Sequence, residues 1–131
     1  MAISVDSVYS HKVWNDIEMS NMVAGGVPFP MLTDANGSIG TMYDVYDSQN
    51  GKNLRSTFII DPTGFIHGME LLTPPIGRSS DEILRQLQAF QNNVQTSQLA
   101  PCDWHPGEKT LTESIEKPGQ IWKEWKPKNY N

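Results

Sequence analysis

The segment LRSTFIIDPTGFIHGMELL (Leu54–Leu72) carries the strongest β-strand pattern in the chain. Two runs rich in β-branched and aromatic residues flank Asp-Pro-Thr-Gly, a sequence typical of a tight turn. The pattern therefore predicts a β-hairpin. Because side chains alternate along a strand, Arg55 and Thr57 are expected on one face of it. Ser56 and Phe58 are then expected on the opposite face.

Upstream of this segment, short strands and helices are predicted to alternate. AISV (2–5) predicts a buried strand, and SHKVWNDIEMSNMV (10–23) predicts a helix with Ser10 as N-cap and an end at Gly25-Gly26. FPMLTDANG (29–37) predicts an extended piece closed by a turn at Asp34 to Gly37, and SIGTMYDVYD (38–47) predicts a short helix. The apolar stripes expected on the two helices are Val13, Trp14 and Ile17, then Ile39, Met42, Tyr43 and Tyr46.

Downstream, SSDEILRQLQAFQNNV (79–94) carries the clearest helical pattern, with Ser79 and Glu82 in the spacing of a capping box. Its expected apolar face consists of Ile83, Leu84, Leu87, Phe90 and Val94. From about residue 96 the chain becomes a polar tail rich in Pro and Gly, which divides it into segments 1–95 and 96–131. The order β-α-β-α-β-β-α-tail predicts an α/β fold in which helices flank a mixed sheet.

The composition indicates a single acidic domain. The chain has 131 residues, of which 37% are hydrophobic and 19% charged, and its formal net charge is −5. The ten Lys and Arg residues are scattered, which argues against a nucleic-acid surface. No apolar run approaches the roughly 18 residues of a membrane span. No signal peptide is visible, so we expect a cytoplasmic protein with no membrane partner.

Metal and cofactor motifs are not recognisable in the sequence. His11, His67 and His105 share no ligand spacing, and the chain has only one cysteine. DANGSIG (34–40) and DSQNGKN (47–53) lack the alternating oxygen ligands of a calcium loop, and turn formation explains both. We therefore expect neither a metal nor a cofactor, and no serine-based catalytic triad.

The single cysteine, Cys102, lies in LAPCDWHPGEKTL (99–111). Most single cysteines are small core residues, which is the simplest interpretation. Asp103 and Glu108 are expected to raise the pKa of this thiol, whereas Lys109 and a protonated His105 are expected to lower it. These charges do not indicate an activated primary nucleophile. A mobile segment rich in Pro and Gly suits a thiol that attacks an already oxidised sulfur, because that role needs no strongly lowered pKa.

Arg55 has two interpretations. It is either a surface arginine at a strand edge, which is the commoner case, or a permanent positive charge beside an anion or a reactive thiolate. The strand pattern alone leaves both open.

Five segments, in this order, resemble one family: ISVDSVYSHKVWND, GGVPFPMLTDANGSIGTMYDVYD, RSTFIIDPTGFIHGMELL, PPIGRSSDEILRQLQAFQ and PCDWHPGEKTL, from Ile3 to Leu111. The chain resembles the peroxiredoxins, specifically the two-cysteine branch that includes the catalytic subunit of bacterial alkyl hydroperoxide reductase. This resemblance implies a thioredoxin-like fold and a thiol-dependent peroxidase that reduces hydrogen peroxide or alkyl hydroperoxides.

The resemblance also implies roles for two residues. Cys102 matches the family's resolving cysteine, although the local order here is Pro-Cys-Asp-Trp. Arg55 matches the arginine that holds peroxide and thiolate together. The implied partners are a peroxide, a thioredoxin-like or flavoprotein disulfide reductase, and either a second copy in a homodimer or higher oligomer or a separate N-terminal half.

The family's peroxidatic motif, Pro-x-x-x-Thr-x-x-Cys, does not occur in these 131 residues. The fold is therefore expected to be N-terminally truncated, with segment 1–95 a partial thioredoxin-like domain and segment 96–131 the tail that carries the resolving cysteine. Three explanations stay open: a truncated gene product, one half of a split enzyme, or a frame that begins upstream and contains selenocysteine. The alternative function is a non-catalytic fragment that acts as a dimerisation or interaction module.

Overall fold

The computed structural model describes residues 1–115 and 118–128 of the chain. The chain divides into two compact units, Met1–Gly77 and Arg78–Asn131, and each is described by itself. Residues 116, 117 and 129–131 belong to the segment predicted as a C-terminal tail and lie outside the described part.

The first unit combines short helices with three two-stranded ladders. Its helical elements are α1 (Val8–Trp14), a π-helical turn (Asn15–Met19), α2 (Ser20–Met22) and α3 (Ser38–Met42). Its strands are β1 (Ala2–Ser4), β2 (Met31–Thr33), β3 (Tyr46–Asp47), β4 (Lys52–Asn53), β5 (Arg55–Ile60) and β6 (Ile66–Leu72). β1 and β2 are parallel, whereas β3 pairs with β4 and β5 with β6 in antiparallel ladders. The expected mixture of parallel and antiparallel pairing is thus confirmed.

The first helix begins earlier than the sequence predicted. Ser7 has extended backbone angles (φ −72°, ψ 157°), and its hydroxyl accepts the N–H of Ser10 at 3.1 Å. Ser7 is therefore the N-cap, and the predicted N-cap Ser10 lies inside α1. Helical structure ends at Met22, ahead of the predicted end at Gly25-Gly26.

A close backbone approach follows this helical segment. Gly26 has a φ of +78°, and a Cβ there would lie 2.4 Å from Oδ1 of Asn15. The same Asn15 oxygen accepts the N–H of Val27 at 2.9 Å. The positive φ and the closeness of Asn15 favour glycine at this position, and the predicted Gly-Gly stop lies beyond the helix end at Met22.

Asp34 organises the next turn and the start of α3. It is 3% exposed and accepts the backbone N–H groups of Gly40 at 2.8 Å and Ile39 at 3.0 Å. Burial alone raises the pKa of Asp34, but these hydrogen bonds outweigh it and lower the pKa. The predicted turn is confirmed, since the N–H of Gly37 donates to Asp34 O at 2.9 Å. Tyr46, predicted on the helix stripe, lies instead in β3.

The predicted hairpin is formed by β5 and β6, with Arg55 opposite Leu72 and Thr57 opposite Glu70. Asp61 closes its turn. The N–H of Asp61 donates to Phe65 O at 2.9 Å, and its carboxylate accepts the N–H groups of Thr63 and Phe65 at 2.8 and 3.0 Å. Hydrogen bonds to the carboxylate, led by that of the Thr63 hydroxyl, lower the pKa of Asp61.

The second unit is built on one long helix, α4 (Ser80–Thr96). The predicted cap is confirmed, because the Ser79 hydroxyl accepts the N–H of Glu82 at 3.2 Å. After α4, Leu99 and Leu111 exchange two backbone hydrogen bonds of 2.8 and 2.9 Å. A short 3₁₀ turn, Ile121–Lys123, follows later in the unit.

Much of the apolar surface is uncovered. Among the described residues the buried apolar side chains are Val45, Trp104 and Leu111. β1, predicted to be a buried strand, is exposed or half-buried along its length. The predicted stripe of α1 and the π-helical turn is exposed: Val13 by 56%, Trp14 by 46% and Ile17 by 69%. These side chains lack the covering layer that the sequence pattern implies.

None of the helices in the described part of the chain has the length and apolar character needed to cross a membrane.

Candidate functional site

Cys102 lies on a loop between α4 and the 3₁₀ turn. The thiol is free and the residue is exposed. It is the second residue of a turn in which the N–H of Trp104 donates to Pro101 O at 3.1 Å and Asp103 has a φ of +56°. The hydrogen bonds between Leu99 and Leu111 close the base of the loop. In the structure, the segment predicted to be mobile forms a loop with these hydrogen bonds.

Trp104 anchors the Cys102 loop. Its side chain is 4% exposed, and its indole N–H donates to Glu108 O at 3.0 Å. Its own carbonyl accepts a hydrogen bond of 3.2 Å from Nη1 of Arg85 on α4. A buried tryptophan two residues after the cysteine therefore fixes the turn that presents the thiol.

Arg85 is itself held by Glu82 one helical turn earlier. Its Nε and Nη2 groups donate to the two carboxylate oxygens of Glu82 at 2.6 and 2.7 Å. This hydrogen bonding lowers the pKa of Glu82 to about 2, so the carboxylate stays charged at neutral pH.

The charges around Cys102 favour its protonated form. A hydrogen bond with Asp103 and the charge of that carboxylate raise the pKa of the thiol, and the smaller effect of Arg85 opposes them. Asp103 was anticipated from the sequence, whereas Arg85 was missed. The available signal for Arg85 was its position three residues after Glu82 on a predicted helix, a spacing that favours an ion pair.

Two other predicted contributors, Glu108 and Lys109, have partners elsewhere. Glu108 accepts the His105 backbone N–H at 3.0 Å and pairs with Lys128. Lys109 donates to the Glu124 carbonyl at 3.0 Å. In the structure these side chains stabilise the loop and its surroundings.

Arg55 opens β5 and is half-buried. On the opposite face, the ring of Phe58 packs edge-on against Tyr43 with centroids 4.8 Å apart, whereas Met69 and Leu71 are 56% and 48% exposed. On the face that Arg55 shares with Thr57 and Glu70, the Thr57 hydroxyl and one Glu70 oxygen are buried and have no hydrogen-bond partner within the described residues. Buried polar atoms of this kind are usually satisfied by a hydrogen-bond partner, either a protein group or an ordered water.

Arg55 belongs to the first unit and Cys102 to the second. The surroundings of Arg55 and of Cys102 are therefore described separately, each from the contacts within its own unit. In the described part of the chain no group of three or more His, Cys, Asp or Glu residues could hold a metal ion. His11 instead bonds to the Ser4 hydroxyl at 2.8 Å, and His67 pairs with Asp61 at 3.1 Å.

Residues 1–69 match the AhpC/TSA family. The chain belongs to this peroxiredoxin family. Among curated relatives, the selenocysteine-containing peroxiredoxin PrxU of Peptoclostridium acidaminophilum is 49% identical over 130 residues, which cover 98% of this chain and 64% of the relative. The mitochondrial thioredoxin-dependent peroxide reductase of Drosophila melanogaster is 38% identical over 86% of this chain and 48% of that protein.

Solved peroxiredoxin structures share the fold. The reduced 2-Cys peroxiredoxin of Plasmodium vivax aligns with a TM-score of 0.75 at 30% identity, over 82% of this chain and 55% of that one. Peroxiredoxin 6 of Arenicola marina aligns with a TM-score of 0.77 at 28% identity, over 88% of this chain and 57% of that one. The expected thioredoxin-like fold is confirmed. The chain spans between about half and two thirds of the length of these peroxiredoxins.

Proposed function

We propose that this peroxiredoxin chain supplies the resolving cysteine, Cys102, and the active-site arginine, Arg55, of a thiol-dependent peroxidase. The peroxidatic thiol or selenol is supplied by another polypeptide segment. In this proposal, segment 1–95 is the partial thioredoxin-like domain and segment 96–131 is the tail that carries Cys102.

The exposed Cys102 thiol on its closed loop is the observation that carries the proposal. A resolving thiol has to reach a sulfur held by a different segment, so exposure is required. It does not need a lowered pKa, because its target sulfur is already oxidised. The raised pKa of Cys102 argues against the role of first nucleophile.

The proposed reaction has two steps. The peroxidatic thiolate attacks the O–O bond of the peroxide, is oxidised to a sulfenic acid and releases water or an alcohol. The Cys102 thiolate then attacks the sulfenic sulfur, forming an S–S bond while hydroxide leaves and takes up a proton to become water. A disulfide reductase supplies two electrons and two protons to restore both thiols. The names of the Drosophila relative and of a thioredoxin peroxidase from Echinococcus granulosus support a thioredoxin-like reductant.

Arg55 is proposed to position the peroxide. A guanidinium is charged at every physiological pH and presents several N–H donors to peroxide oxygen and to a neighbouring thiolate. Its place on a hairpin face where two buried polar atoms have no hydrogen-bond partner within the described residues supports this role.

The name of the Peptoclostridium relative supports a selenocysteine at the peroxidatic position. The nucleotides upstream of Met1 test this part of the proposal. An in-frame Pro-x-x-x-Thr-x-x motif followed by a cysteine or a stop codon is expected. Its absence leaves two arrangements: a split enzyme, in which the peroxidatic segment is a separate chain, and a truncated gene product.

Peroxide consumption with a thioredoxin system tests the proposed activity. The chain alone is expected to be inactive, and fusion to the part of the Peptoclostridium relative that it does not match, with cysteine at the peroxidatic position, is expected to give turnover. In that fusion Cys102→Ser removes thioredoxin-dependent turnover but leaves one stoichiometric oxidation. Activity of the chain alone contradicts the assignment, because it makes Cys102 a competent first nucleophile.

A second candidate function is a non-catalytic module that acts through association. The shallow groove along α1 favours it, since the groove is lined by exposed apolar side chains that include Tyr9, Val13, Trp14 and Ile17. An inactive fusion that still forms dimers supports this module, whereas thioredoxin-dependent turnover of the fusion excludes it.

A further inference from the structure

We propose that Arg85 is a positioning residue for the Cys102 thiol, fixing the loop that presents it and holding a positive charge beside it. This role deepens the proposed resolving function of Cys102 and rests on it. All of the contacts that support it lie within the second unit.

Arg85 makes three directed hydrogen bonds. Two go to the carboxylate of Glu82, at 2.6 and 2.7 Å, and one goes to the carbonyl of Trp104, at 3.2 Å. The planar guanidinium can donate in these two directions at once, because its N–H groups form a rigid fork. A lysine at this position keeps the charge but cannot make the same set of bonds.

The bond to Trp104 restrains the turn that contains Cys102. Trp104 is the last residue of that turn, and its side chain is buried. Its carbonyl is tied to α4, while its indole N–H is tied to Glu108 within the loop. The thiol is therefore exposed on a turn whose C-terminal end is fixed from two sides.

Three charged groups act on the thiol. Asp103 and Glu82 disfavour the thiolate, and Arg85 favours it. His105 also lies close enough to interact with Glu82. Because Arg85 is paired with Glu82, it both offsets the negative charge nearest to it on α4 and adds its own attraction for a thiolate.

This balance matters for the resolving step. The attacking species is the thiolate, so the rate follows the fraction of Cys102 that is ionised. Arg85 is expected to keep that fraction from falling further under the influence of Asp103.

The test uses the full chain and the neutral reagent dipyridyl disulfide, whose reaction with the thiolate forms a mixed disulfide and releases thiopyridone. The rate is measured as a function of pH. Arg85→Gln is expected to shift the profile to higher pH and to slow the reaction about two- to threefold at pH 7, an effect that decreases with added salt. Arg85→Lys restores most of the rate because it keeps the charge.

Hydrogen exchange of the Leu111 amide reports the loop separately. Both Arg85 variants are expected to speed this exchange, because both lose the fork of hydrogen bonds. The control is Lys12→Gln, which removes an exposed cation paired with Asp16 in the other unit. It is expected to change neither the pH profile nor the exchange.

A wild-type pH profile in Arg85→Gln overturns the proposal. If Arg85→Gln does not fold, the variant Glu82→Gln is used as the second test of the proposal. It removes a charge that disfavours the thiolate, so it is expected to speed the reaction at pH 7 and to loosen the loop. An unchanged rate in Glu82→Gln overturns the proposal as well. These readouts need no peroxidase activity, so a shifted profile together with an inactive fusion assigns the failure to the proposed function and not to Arg85.

Discussion

At the level of single residues, Asp103 has the largest effect on the pKa of the neighbouring Cys102 thiol. Asp103 raises the pKa of the thiol through a hydrogen bond and through its charge. Asp103→Asn is expected to move the pH profile of Cys102 modification to lower pH and to speed the reaction at pH 7. Asparagine tolerates the positive φ of this position, so the turn is retained.

Alkylation of the full chain with iodoacetamide across pH 6 to 10 measures this shift. The matched control is Asp81→Asn, an exposed carboxylate in the first turn of α4, which is expected to leave the profile unchanged. A wild-type profile in Asp103→Asn contradicts the assigned cause of the raised pKa.

The sequence allowed Asp103 to be predicted, because its effect comes from adjacency along the chain. Arg85 was not predicted, because its approach to the Cys102 loop depends on how that loop folds against α4. Glu108 and Lys109 were assigned to the thiol by proximity in sequence, but their side chains make contacts elsewhere. Charge proximity in a loop is thus a weak guide to charge proximity in space.

At the level of elements, the hairpin and α4 were predicted from local patterns alone. Each has a strong internal signal: alternating apolar residues around an Asp-Pro-Thr-Gly turn, and a serine cap before an amphipathic run. The predicted start of α1 was wrong because Ser7 and Ser10 are both suitable N-cap residues. The β3–β4 ladder was missed because each strand has two residues, too few for a periodic pattern.

The Ser79 cap gives an element-level prediction. Ser79→Ala leaves the N–H of Glu82 without its acceptor and is expected to lower the free energy of unfolding by about 1 kcal/mol. Urea denaturation followed by far-UV circular dichroism measures the change. Ser80→Ala, at the first helical position, is the control and is expected to cost much less; equal losses contradict the capping role.

At the level of the whole molecule, the described residues bury few apolar side chains, and the first strand and helix are largely uncovered. The sequence pattern predicted which side chains form the apolar face of each element. Whether that face is buried depends on the groups that pack against it. Uncovered apolar side chains and unpaired strand edges favour association. We therefore expect the isolated chain to be oligomeric or unstable.

Sedimentation velocity at micromolar concentration tests this expectation. Ile17→Glu places a charge on the exposed stripe and is expected to shift the chain toward the monomer. Glu18→Gln, on the same turn, is the control and should leave the distribution unchanged. A wild-type monomer with a sharp cooperative melt contradicts the expectation.

The assignment of Cys102 as the resolving thiol is tested most directly by peptide mass mapping of the completed fusion after one equivalent of hydrogen peroxide. The peptide that contains Cys102 is expected to be joined by a disulfide to the peptide that carries the peroxidatic cysteine. Recovery of Cys102 as a free, alkylated thiol while the peroxidatic cysteine is oxidised contradicts the account.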